Sequence, residues 1–101
     1  MNKEEFRQIA DGYHGNIIEK LDSIWIECRN KISSYYQDGT VAETVTTLCS
    51  VGIRYNFLFA EEATSRIIGG CYGITATAEN VQKKLIRYGF LKKQQEQLSL
   101  F

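Results

Sequence analysis

The sequence predicts a small all-α domain, and three observations carry that prediction. Apolar residues recur at steps of three and four along Phe6, Ile9, Tyr13, Ile17, Leu21, Ile24, Cys28, Ile32 and Tyr35, the period of one helix face. Helix-start patterns stand at Asn2 with Glu5 and at Thr40 with Glu43; in each, a short polar side chain and a carboxylate three residues on can satisfy two orphan N–H groups. The chain contains no proline, so nothing imposes a kink or a stop.

The first helix is expected from the Asn2 cap to about residue 36, with Ala10, Trp25 and Tyr36 widening its stripe. Gly12 and Gly15 each weaken it by about 1 kcal/mol relative to alanine and leave room for a bend or a short first helix, yet the stripe continues across both, and one helix is expected. Gln37-Asp38-Gly39 reads as a turn. A second helical run starts at Thr40, with Val41, Val45, Leu48, Gly52 and Tyr55 or Asn56 on one face. Its threonines and valines would also suit a strand, but they do not alternate cleanly with polar residues. Residues 54–60 are apolar and aromatic, 61–68 read as helical, and Gly69-Gly70 ends them. Whether 40–68 is one helix or two stays open. Cys71-Tyr72-Gly73-Ile74 reads as a connector. Thr75 or Thr77 caps a last helix to Arg87, with Ala78, Val81, Leu85 and Tyr88 inward. Gly89 is placed as a left-handed cap, with Phe90 packing back behind it. The expected organisation is one helical domain over 1–91 and a flexible tether over 92–101.

At 101 residues the chain suffices for one core. With 44% apolar and 24% charged residues it is of globular composition. No apolar run is long enough to span a bilayer, and the charged start, Met1 to Phe6, lacks a signal-peptide core. A cytoplasmic protein without membrane contact is expected. Cys28, Cys49 and Cys71 are widely spaced, and His14 is the single histidine. Reduced, buried thiols are therefore expected, with no metal and no cofactor. Charge is zero overall but uneven: residues 1–62 carry −4 and residues 63–101 carry +4. That asymmetry suggests an acidic partner for the C-terminal part.

Chemistry-bearing constellations are few. A nucleophile needs a base and an orienting group, and no such motif surrounds His14, a serine or a cysteine. Adjacent Glu61 and Glu62 would diverge by about 100° on a helix. An enzyme is not expected. The loop at 69–74 has neither the spacing of a dinucleotide fingerprint nor the lysine of a phosphate loop.

The stretch from Glu61 through the glycine-bearing turn to Lys93 loosely resembles a winged helix-turn-helix. Val81 to Leu91 stands where such proteins place the recognition helix and the glycine after it. The resemblance implies duplex DNA as a partner. Gln82, Lys83, Lys84 and Arg87 would lie on the DNA side, and Lys92 and Lys93 on phosphate.

A more specific signal closes the sequence: Gln97-Leu98-Ser99-Leu100-Phe101. It resembles the linear motif by which bacterial replication and repair proteins dock on the DNA sliding clamp: Gln, Leu, a small or acidic residue, Leu, Phe. All five positions match. The resemblance implies clamp binding through these five residues and says nothing about the fold. Three functional expectations result. The leading one is a non-enzymatic clamp-binding adaptor or inhibitor of bacterial DNA replication or repair, of phage or mobile-element type. The second is a small winged-helix-like DNA-binding regulator. The third is a self-assembling helical protein whose dimer interface uses Phe57, Phe59 and the Trp25-bearing stripe.

Overall fold

A computed structural model describes residues 1–62 and 71–93. The elements are, in chain order, α1 (Lys3–Ala10), β1 (Asn16–Glu19), β2 (Ser23–Tyr35), β3 (Val41–Arg54), β4 (Phe57–Glu62), β5 (Cys71–Thr75) and α2 (Ala78–Arg87). The five strands form one antiparallel sheet whose spatial order is the chain order. The architecture is a strand meander with one helix from each end of the chain laid on the same face.

The expected all-α fold and its helical bundle are therefore corrected. The long N-terminal helix stops at Ala10, and most of its stripe belongs to β1 and β2. The physical reason is an ambiguity in the spacing. Ile24, Cys28 and Ile32 stand four apart, and four is both about one helical turn and two strand periods. On β2 these three residues, with Ile26 and Asn30 between them, face the helices; Trp25, Glu27, Arg29 and Lys31 face away. The second expected helix is also a strand, β3. Its inward set is Val45, Thr47, Cys49, Val51 and Ile53. Threonines on both faces blur the alternation that would have revealed it.

Glu61 and Glu62 end β4 instead of starting a helix; the rest of that expected helix, 63–68, lies outside the described residues. Cys71–Thr75 is a strand, not a connector. The turn at 37–39 forms as expected, but Thr40 caps nothing. Its backbone N–H and hydroxyl both donate to the Asp38 carboxylate, at 2.9 and 2.7 Å, closing the β2–β3 hairpin. These two bonds, the side-chain one first, hold the Asp38 carboxyl below its ordinary range.

Other local expectations are met. Asn2 and Glu5 form the reciprocal capping box of α1. The Thr77 hydroxyl accepts from the Asn80 N–H at the start of α2. Gly89 adopts φ +78°, and buried Phe90 donates back to the Leu85 carbonyl at 2.9 Å. Cys28 and Cys49 are free thiols, but of the two only Cys49 is buried as expected; Cys28 is half-buried. No helix among the described residues is long and apolar enough to cross a membrane.

The core lies between sheet and helices. Phe6 and Ala10 of α1 and Val81 and Leu85 of α2 are fully buried against Ile24, Ile26, Val51, Leu58 and Ala60. Burying each large side chain stabilises by roughly 1.5–3 kcal/mol. Gly89 sits so close to β2 that an added Cβ would lie 2.6 Å from the Lys31 carbonyl oxygen. The Asn30 side-chain amide donates to the Tyr88 carbonyl at 3.0 Å. Glycine and asparagine together fix the end of α2 against the middle of β2.

Candidate functional site

The clamp-like residues Gln97, Leu98, Ser99, Leu100 and Phe101 lie outside the described residues. The fold does specify where the chain stands just before them. After α2 it runs beside the loop that follows α1. Tyr13 and Lys92 form an antiparallel bridge, His14 N–H donates to the Leu91 carbonyl, and Lys93 N–H donates to the Gly12 carbonyl, both at 2.8 Å. Backbone bonding thus continues through Lys92 and Lys93, the first two residues of the expected tether. Four residues further on, the motif begins.

The DNA-side candidates divide. Gln82, Lys92 and Lys93 line one shallow groove with Gln8, Ile9, Gly12 and Tyr13. Lys83 and Arg87 are exposed on the outer face of α2, and Lys83 makes a loose ion pair with Glu79 at 3.9 Å. Lys84 is half-buried and points elsewhere on the helix. The helix beside α2 is α1, from the opposite end of the chain.

One cluster of reactive types exists on the inner sheet face. Cys28, Cys49 and Glu62 are direct cross-strand neighbours on β2, β3 and β4. Burial, and then the neighbouring Glu62 charge, push the Cys49 thiol up to about 11. An activated thiol needs the opposite shift, toward thiolate at neutral pH. Cys49 is therefore a protonated core residue that also packs.

The most developed surface is the outer face of the sheet, which no element among the described residues covers. Its centre is one cross-strand row: Ile18, Trp25, Gly52 and Phe59. The Trp25 indole N–H donates to the Ser23 hydroxyl at 3.0 Å. Its ring packs against Gly52, where an added Cβ would lie 2.5 Å from the indole Cε3 and 2.7 Å from the Ile24 carbonyl oxygen. It then meets Phe59 with ring centroids 6.3 Å apart and planes tilted by 36°, a favourable aromatic geometry. A shallow depression of about 150 Å³ beside this row is lined by Ile18, Lys20, Trp25, Glu27, Ser50 and Glu61. The next rows carry Glu27 with Ser50 and Glu61, then Arg29 with Leu48, then Lys31 with Thr46.

The sequence singled out Trp25, Phe57 and Phe59 but placed them on helices. It missed Gly52 as their seat, and it missed Glu27, Arg29 and Lys31 as a set. The signal that finds these three is their odd numbering: from Trp25 to Lys31, every second residue leaves the apolar face.

Compared with protein-family models, with curated proteins and with solved structures, the chain gives no match.

Proposed function

We propose that this protein is a non-enzymatic sliding-clamp-binding adaptor or inhibitor of bacterial DNA replication or repair, of the kind a phage or mobile element encodes. The observation that carries the reading is the five-position match of Gln97-Leu98-Ser99-Leu100-Phe101. Leu98, Leu100 and Phe101 are apolar anchors after a polar run, Lys92 to Gln97, the composition of a segment that fills a partner's pocket. Two further features support the reading. The bonds of Leu91 and Lys93 to the loop after α1 give the segment a fixed point of departure. The Cys49 thiol, held protonated beside a carboxylate, is unsuited to nucleophilic work.

The test is a titration of purified bacterial clamp with wild-type protein and with a Leu100→Ala, Phe101→Ala double variant. Ordering a short segment on a partner costs entropy, so wild-type binding of about micromolar strength is expected. The double variant should lose most of it while melting at the wild-type temperature. Absence of wild-type binding defeats the reading. So does a variant that binds the clamp normally but melts lower, because those side chains then belong to the protein's own core.

A further inference from the structure

We infer that the outer sheet face is the interface of a homodimer, with the occupant a second copy of this chain. The face is built around Trp25, packed against Gly52 and beside Phe59. The strands long enough to cross the middle of this face are β2 and β3, because β1, β4 and β5 pair alongside residues 23–28 of β2 and their β3 partners. Trp25 is a large aromatic anchor of the kind that carries binding energy at protein interfaces.

Charge identifies the occupant. Along the outward side of β2, an apolar position is followed by an acid and then by two bases: Trp25, Glu27, Arg29, Lys31. Among the described residues, Glu27, Arg29 and Lys31 have no salt-bridge partner. Such a line is complementary to its own reverse. A two-fold axis lying between two stacked sheets, and crossing the strands between the Glu27 row and the Arg29 row, lays β2 antiparallel over β2 of the second copy. Glu27 then faces Arg29 of the other chain, twice by symmetry. Lys31 comes over the Trp25 ring of the other chain, where a cation on an aromatic face is favourable. The arrangement stacks two sheets face to face at the usual distance of about 10 Å. It leaves both helical layers, and both departure points at Lys93, on the outside.

The experiment is a charge exchange. Sedimentation equilibrium should give wild-type protein twice the chain mass. Glu27→Arg sets arginine against arginine, and Arg29→Glu sets glutamate against glutamate, so each single variant should sediment as a folded monomer. The Glu27→Arg, Arg29→Glu double variant restores opposite charges in reversed order and should dimerise again. A monomeric wild type, or single variants that remain dimeric, overturns the inference. A double variant as monomeric as its parents does so too.

A second measurement needs no variant. Trp25 is the single tryptophan of the chain, so its fluorescence reports this face alone. Diluting the wild type through the dissociation range should shift the emission to the red as the indole meets water. An emission maximum that is independent of concentration overturns the inference even if the variants fail to fold.

Discussion

Cys49 is fully buried between Val51 and Thr47 on the inward side of β3, with Glu62 opposite. Its thiol ionises near 11 in the fold, against an ordinary 9.0. The sign of the linkage follows. The neutral thiol is the form that the fold accepts, and the unfolded chain loses its proton first. The contribution is complete below pH 9 and is lost as pH rises from about 9 to about 11. Urea denaturation of wild type and of Cys49→Ala across that range should show the wild type losing stability more steeply. Equal slopes would mean that the thiol is not desolvated. At neutral pH, Cys49 should resist iodoacetamide far longer than the half-buried Cys28.

At the scale of elements, α2 shows how a helix is fixed by its ends. Thr77 satisfies the Asn80 N–H at the start, and Gly89 turns the chain at the finish. Gly89 is doubly constrained, by φ +78° and by the Lys31 carbonyl oxygen, which a side chain would meet at 2.6 Å. Gly89→Ala should therefore destabilise the protein by about 1–3 kcal/mol, measured by chemical denaturation. A neutral result would show that α2 is not seated on β2 in this way. Elements of this kind were legible in the sequence, because capping and left-handed turns depend on a few neighbouring residues. The Asn2 box, the turn at 37–39, the last helix and its Gly89 cap were all readable.

The strands were not. β1 and β2 hid inside a helical stripe because Ile24, Cys28 and Ile32 satisfy both periods. The deciding residues were Ile26 and Asn30, buried between them, whose positions fit only a strand. β3 hid because Thr44, Thr46 and Thr47 fall on both faces, so polarity did not alternate where burial did. Gly52 carried the strongest unread signal. In the sequence it stood as one position on the face of the expected second helix, whereas it is the residue the Trp25 ring packs against. The candidate site was legible as residue types, Trp25 with Phe57 and Phe59, and illegible as a surface. Only the register of β2, β3 and β4 brings Trp25, Gly52 and Phe59 into one row.

At the scale of the molecule, the order of the sheet has a kinetic consequence. Each strand pairs with its neighbours in sequence, so the β2–β3 hairpin can form early, by closing one short loop. The two helices come from opposite ends of the chain and meet only when the Tyr13–Lys92 bridge closes. That closure must bring nearly the whole chain together and gains little before the sheet exists, so it belongs late on the folding path. Stopped-flow kinetics should then separate two classes of variant. Val51→Ala, within the β2–β3 and β3–β4 pairings, should slow refolding. Gly89→Ala should leave refolding nearly unchanged and speed unfolding roughly 5- to 150-fold for its loss of about 1–3 kcal/mol. If Gly89→Ala slowed refolding as much as Val51→Ala, the two ends would already be joined in the transition state. With the ends joined late, the seam beside Lys93 is also the first to open. The lifetime of the native state is then set at that seam, where Leu91 and Lys93 bond to the loop after α1, far from the sheet pairings that fold first.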